Sequence, residues 1–166
     1  MAQTALRGNP VNTAGDLPAV GSNAPEFVLA GSDLGSVTSA DFAGQRVVLN
    51  IFPSLDTATC ATSVRTFNER AVGLENTAVL CVSADLPFAH GRFCVAEGIE
   101  NVTTASTFKN PEFMSEFGIG MVDGPLAGLC ARSVVVLDEN GTVLYTELVP
   151  EISSEPDYDS AIAALG

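Results

Sequence analysis

The sequence predicts an α/β fold, with a central mixed sheet that carries helices on its faces. One observation is that three apolar segments lack the alternation of a half-exposed strand, which is typical of strands covered on both faces: 47–52, 78–83 and 133–137. A second is that helix-like segments alternate with these strands along the chain. A third is the Asn-Gly pair at Asn140–Gly141, which predicts an antiparallel hairpin after the last buried strand.

The first thirty residues are rich in turn formers. Gly8–Pro10 and Gly15–Pro18 predict a short N-terminal β-hairpin. The weak alternation from Asn23 to Leu29 predicts a surface strand. At the other end of the sheet, 142–147 is expected to pair with the strand at Val134 through the turn at Asp138–Gly141.

Helices are predicted at four places: Thr57–Val72, Pro87–Glu97, Pro111–Phe117 and Pro156–Leu165. Pro156 and the acidic residues after it favour a helix start there. Strands that alternate with helices and end in a hairpin are typical of thioredoxin-like folds. The sequence shows no repeat, low-complexity tract or linker, so we expect residues 1–166 to form one domain.

The charge balance excludes some classes of partner. Seven Lys and Arg residues stand against 20 Asp and Glu, a formal net charge of -13. Such a surface opposes binding to nucleic acid or to anionic membranes, because phosphate contacts need clustered cations. No segment approaches the ~18 apolar residues of a membrane span, and the N-terminal segment lacks the apolar run of a signal peptide. We therefore expect a cytoplasmic protein that binds neither nucleic acid nor membranes.

The segment Pro53–Cys60 is the strongest candidate for chemistry. It joins a buried strand to a helix and places Cys60 in the first helical turn. Free N–H groups and the helix dipole at that position favour a thiolate, which is the nucleophilic form of sulfur. Thr57 can direct a hydroxyl to the same helix N-terminus, and Pro53 shields the turn from water. Donors around a small polar pocket suit cleavage of a peroxide O–O bond.

The residues Pro53, Thr57 and Cys60 match the Pro-x-x-x-Thr-x-x-Cys motif of the peroxiredoxins. With Asp85–Ala89 and Arg92–Gly98, the chain closely resembles the bacterial thiol peroxidases, the atypical two-cysteine peroxiredoxin subfamily. Their N-terminal hairpin is similar to 8–11 and 17–21 here, so the resemblance covers nearly the whole chain. It implies a thioredoxin-like peroxiredoxin fold.

The resemblance also implies roles for single residues. Cys60 would be the peroxidatic cysteine that becomes a sulfenic acid, and Cys94 the resolving cysteine that forms an intramolecular disulfide with it. Arg132 matches the arginine that reaches the thiolate from a neighbouring strand. A disulfide needs Cα atoms within roughly 7 Å, so we expect local unwinding of one or both helices during turnover. Hydroperoxides would be the substrates, a thioredoxin-like protein the reductant, and a homodimer the assembly.

The remaining candidates are interpreted as structural. Cys81 lies in an apolar strand and is expected in the core, whereas Cys130 precedes Arg132 and receives no role. His90 is expected on a helix face. No Cys-x-x-C pair exists and His90 is the only histidine, so neither a metal site nor a cofactor is expected.

Two alternatives stay open. In one, Cys94 only packs and the protein is a one-cysteine peroxiredoxin. In the other, the Cys60–Cys94 pair is a switch in a redox-sensing interaction protein, and peroxide turnover is incidental. The apolar residues of 113–121 suit a subunit contact or the core equally well.

Overall fold

The computed structural model describes all residues, Met1–Gly166. Strands β1 (Gln3–Leu6) and β2 (Asn9–Asn12) form a separate antiparallel hairpin. Seven further strands build one sheet: β3 (Val28–Gly31), β4 (Ser36–Thr38), β5 (Arg46–Ile51), β6 (Thr77–Ser83), β7 (Thr103–Ser106), β8 (Ser133–Leu137) and β9 (Val143–Leu148). Their order is β4-β3-β7-β6-β5-β8-β9. The pairs β5–β6 and β6–β7 are parallel and the others antiparallel, which makes the sheet mixed as predicted.

Four α-helices flank the sheet: α1 (Ala58–Ala71), α2 (Pro87–Glu97), α3 (Glu112–Glu116) and α4 (Tyr158–Ala163). A single 3-10 turn spans Ser39–Phe42. None of the helices is long and apolar enough to cross a membrane.

Strand β5 is buried on both faces, which explains why its sequence does not alternate. Leu49 and Ile51 belong to an apolar cluster that includes Phe113 of α3. Val48 points to the opposite face and belongs to a cluster with Phe67 of α1. The helices therefore cover both sides of the central strand.

Several predicted boundaries were wrong. The strand expected from Asn23 begins at Val28, because Pro25 lacks the N–H that a ladder needs. The helix expected from Pro156 begins at Tyr158, where the side chain of Asp157 accepts a hydrogen bond from the Ser160 N–H and caps the helix. Two short strands, β4 and β7, were not predicted.

The sheet topology brings two distant segments together. In the antiparallel pair β5–β8, Ile51 lies opposite Ser133. The loop that follows β5 and leads into α1 therefore lies beside Arg132, the residue before β8. Both candidate residues of the predicted site, Cys60 and Arg132, are placed at this end of the sheet.

Candidate active site

Cys60 lies in the first turn of α1 and is fully buried. Thr57 is the N-cap residue of the helix, with extended backbone angles. Arg132 Nη2 donates a hydrogen bond to Cys60 Sγ over 3.1 Å. A guanidinium so close to a sulfur stabilises negative charge on it, and such charge-assisted hydrogen bonds are the stronger ones in proteins.

The Arg132 side chain is held in one orientation. It is 1% exposed, and its Nε donates to the carbonyl oxygen of Ile152 over 2.7 Å. Its third nitrogen, Nη1, is buried and has no hydrogen-bond partner. A buried donor without a partner is unfavourable, so it is a candidate donor to a substrate oxygen.

A cavity of about 220 Å³ adjoins this arginine. Pro53, Thr57 and Arg132 all line it, together with Leu6, Arg7, Ala58, Thr59, Leu126, Ile152 and Ser153. The cavity thus brings together the loop before α1, the N-terminal hairpin and the segment after β9.

The expected position of the Thr57 hydroxyl was wrong. Its Oγ1 donates to the carbonyl oxygen of Ser54 over 3.0 Å, and no side-chain hydrogen bond caps α1. The hydroxyl proton of Thr57 is therefore used in a hydrogen bond within the loop before α1. The Thr57 oxygen accepts no hydrogen bond from the N–H groups of the first helical turn, and its residue lines the cavity with lone pairs left to accept.

Cys94 lies on α2 and is half-buried. It packs against the apolar cluster that contains Cys60, but all four cysteines are free thiols in this structure. Burial raises the pKa of Cys94, and a hydrogen bond from the side chain of Thr104 lowers it by less. The structure brings Cys94 near the Cys60 region without joining the two sulfur atoms.

Asp85 is the centre of a hydrogen-bond network that the sequence does not predict. The Asp85 carboxylate accepts hydrogen bonds from Ser54 Oγ over 2.7 Å, from the Leu55 N–H over 2.8 Å and from Ser83 Oγ over 2.7 Å. These bonds hold the loop before α1 against the end of β6. Asp85 occurs in the stretch on which the family resemblance was based, but spacing alone does not indicate its partners.

His90 lies on a face of α2, as expected, and that face is buried. Its side chain is 0% exposed, and its Nε2 lies 2.8 Å from Ser83 Oγ. The hydrogen bond to Ser83 allows a polar ring to be buried at this position.

The other two cysteines are buried thiols. Cys81 was expected in the core, and it is 0% exposed there. Burial raises the pKa of Cys81 to about 12 and that of Cys130 to about 12, so both remain protonated at neutral pH. Phe113, Phe117 and Ile119, for which a subunit contact was also considered, lie in the core.

A larger groove, of about 930 Å³, contains none of the predicted site residues. Its lining includes Glu26 before β3, Phe42 of the 3-10 turn, and Asp138 and Glu139 of the β8–β9 turn. We therefore assign the chemistry to the smaller cavity, because it is lined by Arg132, which binds Cys60, and the groove is not.

Comparison with known proteins identifies close relatives. The model of the Redoxin family matches residues 19–162. A thiol peroxidase of Corynebacterium glutamicum is 61% identical over 165 residues, which cover 99% of this chain and 99% of that protein. A thiol peroxidase of Mycobacterium tuberculosis is 60% identical over 166 residues, or 100% of this chain and 99% of that protein.

Solved structures share the fold. A peroxiredoxin-like protein from Aquifex aeolicus superposes with a TM-score of 0.93 at 40% identity, over 98% of this chain and 95% of its own. A thiol peroxidase from Chromobacterium violaceum superposes with a TM-score of 0.91 at 18% identity, over 98% and 94% of the two chains. The thioredoxin-like fold with an N-terminal hairpin, predicted from the sequence, is confirmed.

Proposed function

The chain belongs to the thiol peroxidases of the Redoxin family and is a peroxidase, and we propose that it reduces hydrogen peroxide and organic hydroperoxides through Cys60 and Cys94. The contact between Arg132 Nη2 and Cys60 Sγ is the observation that carries the proposal. It pairs the one cysteine at a helix N-terminus with a buried cation beside a small cavity.

In the first step, the Cys60 thiolate attacks one oxygen of the hydroperoxide. The O–O bond breaks, the sulfur is oxidised by two electrons to a sulfenic acid, and the leaving oxygen takes a proton to become an alcohol or water. Arg132 supports this step in two ways. Nη2 stabilises the thiolate, and the unpartnered Nη1 can donate to an oxygen on which charge develops.

Pro53 and Thr57 are proposed to shape the site. Pro53 is buried and presents no N–H to the cavity, while the Thr57 hydroxyl, which donates its own proton to Ser54, can accept a hydrogen bond from the O–H of the hydroperoxide. A substrate held between Thr57 and Arg132 would have one oxygen directed to Cys60. Leu6, Leu126 and Ile152 would contact an organic group.

In the second step, the Cys94 thiolate attacks the sulfenic sulfur of Cys60. The S–S bond forms, the S–O bond breaks, and the oxygen leaves as water after taking a proton. Both cysteines lie in helices and are free in this structure, so α1, α2 or both must unwind locally before the sulfur atoms meet.

The reductant would be a dithiol protein of the thioredoxin type, which attacks the disulfide and returns both cysteines to thiols. We also propose that the protein works in the cytoplasm, where such reductants keep thiols reduced. A homodimer is proposed from the family resemblance.

A coupled assay tests the proposal. Peroxide consumption driven by thioredoxin and its reductase is measured for wild type, Cys60→Ser and Cys94→Ser, with hydrogen peroxide and with a bulky alkyl hydroperoxide. Activity should vanish in Cys60→Ser, and sustained turnover should be lost in Cys94→Ser. Activity in Cys60→Ser would refute the proposal, and wild-type turnover in Cys94→Ser would identify a one-cysteine enzyme. Slow oxidation together with tight partner binding in one redox state would favour the sensor.

A further inference from the structure

His90 is a fully buried imidazole on α2, one helical turn before Cys94. Its Nε2 lies 2.8 Å from Ser83 Oγ, at the end of β6, and its Nδ1 is buried with no hydrogen-bond partner. The proposed reaction does not use this ring. It lies on α2, one of the two helices whose unwinding would let Cys94 reach Cys60.

The hydrogen bonds around Ser83 determine the tautomer of His90. Ser83 Oγ lies 2.7 Å from Asp85 Oδ2, and a hydroxyl has a single proton, which it donates to that carboxylate. Ser83 Oγ must then accept from His90, so Nε2 carries a proton. Nδ1 is buried with no hydrogen-bond partner and burial lowers the pKa of His90, so the imidazole is neutral in the folded helix.

These bonds connect α2 to the Cys60 loop. His90 binds Ser83, Ser83 binds Asp85, and Asp85 binds Ser54 Oγ and the Leu55 N–H. The helix that carries Cys94 and the loop that precedes Cys60 are thus attached to the same carboxylate. Unwinding of either one would therefore disturb the hydrogen bonds of this carboxylate.

Protonation of Nδ1 would create a buried charge with no acceptor. Burial lowers the pKa of His90, and the carboxylate of Asp85 opposes this by a smaller amount. The nearby charges of α2 point outward, because Arg92 pairs with Asp56 and Glu97 pairs with Arg65. Cys130, the other group on which Asp85 acts, remains a neutral thiol because burial raises its pKa to about 12.

We propose that neutral His90 is a positioning residue that holds α2 folded through Ser83, and that proton uptake at Nδ1 releases α2 so that Cys94 reaches Cys60. This inference rests on the proposed Cys60–Cys94 disulfide. Its chemistry is the resolution step already balanced above, with hydroxide leaving sulfur as water, and it needs no further oxidant or reductant.

The direction of the pH effect follows from linkage. In unwound α2 the ring is hydrated and its pKa returns to about 6.5, above the lowered value in the folded helix. The unwound form therefore binds the proton more readily, and its population rises as the pH falls through about 6.5. At about pH 5.5 the population of unwound α2 increases by roughly tenfold at most, because this pH lies one unit below the pKa of about 6.5 that His90 has in the unwound form.

The experiment compares wild type with His90→Gln, whose amide donates to Ser83 but does not titrate. Reduced protein is mixed with excess hydrogen peroxide, quenched in acid, alkylated and assayed by mass spectrometry for sulfenic acid and for disulfide. The wild-type to His90→Gln ratio of disulfide formation rates should be close to one at about pH 8 and rise up to roughly tenfold at about pH 5.5. Ionisation of Cys94 affects both proteins alike and cancels in the ratio, and sulfenic acid formation should be equal in both.

A second variant tests the hydrogen bond itself. His90→Phe keeps a ring but has no donor, so its disulfide formation should be faster than that of wild type at about pH 8, and the α2 amides should exchange hydrogen faster. If His90→Phe does not fold, the wild-type to His90→Gln ratio of disulfide formation rates still tests the role of His90. A ratio that does not change with pH would refute this role but leave the proposed Cys60–Cys94 disulfide intact. A wild-type protein that forms no Cys60–Cys94 disulfide at any pH overturns the proposed function and this inference with it.

Discussion

Arg132 Nη2 lies 3.1 Å from Cys60 Sγ, at the end of the sheet where β5 leads into α1 and β8 begins. The arginine cannot turn away easily, because its Nε is bound to the Ile152 carbonyl and the whole side chain is buried. The cation is therefore already in place before substrate arrives. Fixed donors of this kind stabilise developing charge without reorganisation during the reaction.

Replacement of the arginine tests this relationship. Arg132→Met should slow the oxidation of Cys60 by about 10²–10³, the usual loss when a preorganised donor to a developing oxyanion is removed. Stopped-flow measurement of the first oxidation step gives the rate. Arg65→Met is the matched control, because Arg65 is partly exposed on α1 and contacts Glu97 and the Thr62 hydroxyl, away from Cys60 Sγ. Equal rates of Cys60 oxidation in wild type and Arg132→Met would show that the hydrogen bond from Arg132 to Cys60 does not contribute to the reaction.

The Thr57 hydroxyl permits a finer test. Thr57→Val removes the oxygen at nearly constant volume, so Cys60 oxidation should fall about tenfold or more, since a hydrogen bond is typically worth about 1 kcal/mol and more next to charge. Thr57→Ser keeps the hydrogen bond to Ser54 and should retain most of the rate. The same stopped-flow measurement applies. If Thr57→Val is as fast as Thr57→Ser, the oxygen has no part in the reaction.

The carboxylate of Asp85 should matter for stability as well as position. Asp85→Asn replaces one acceptor oxygen by an amide that faces donors, so about 2 kcal/mol of unfolding free energy should be lost. Urea unfolding followed by circular dichroism measures it. Asp56→Asn, which disrupts only the exposed pair with Arg92, should change stability by less than about 0.5 kcal/mol. Similar losses in the two variants would contradict the structural role of Asp85.

The sheet and the cysteine motif were predictable from the sequence because their signals are local. β5, β6 and β8 are continuous apolar runs, and Pro53, Thr57 and Cys60 lie within one strand-to-helix connection. Strands β4 and β7 were missed for the same reason. Their sequences, Ser-Val-Thr and Thr-Thr-Ala-Ser, are short and mostly polar, and they become strands only through pairing with β3 and β6.

The long-range polar contacts of the site could not be derived from spacing. Arg132 reaches Cys60 because β8 pairs antiparallel with β5, and Asp85 reaches Ser54 because β5 and β6 end side by side. The burial of His90 and its hydrogen bond to Ser83 could not be predicted either, because Ser83 belongs to another element, β6. Which polar groups are buried together is a property of the tertiary structure, and no local pattern encodes it.

Acid should detach the N-terminal hairpin from the site. The Glu151 carboxylate accepts hydrogen bonds from the Arg7 and Gly8 N–H groups and from Ser153, which lowers its pKa from 4.5 to about 2. A lowered pKa means that this anchoring is complete above about 4.5 and is lost as the pH falls toward 2. Amide hydrogen exchange at Arg7 and Gly8, corrected for the intrinsic rate, should show protection that disappears over this range.

Glu151→Gln should reduce that protection already at neutral pH, because an uncharged amide accepts these hydrogen bonds more weakly. Glu69→Gln, at an exposed position of α1, is the control and should leave it unchanged. Protection that persists in Glu151→Gln and at low pH would mean that the hairpin is held by its other contacts, such as the Ile152 N–H to Ala5 carbonyl bond.

In the proposed reaction, oxidised Cys60 is resolved by Cys94 and by no other cysteine. The most direct measurement is peptide mapping by mass spectrometry after reduced protein has reacted with one equivalent of hydrogen peroxide and all remaining thiols have been alkylated under denaturing conditions. We predict a single disulfide between Cys60 and Cys94, with Cys81 and Cys130 alkylated. Recovery of alkylated Cys94 together with Cys60 as an oxyacid, or as a disulfide with Cys81 or Cys130, would contradict it.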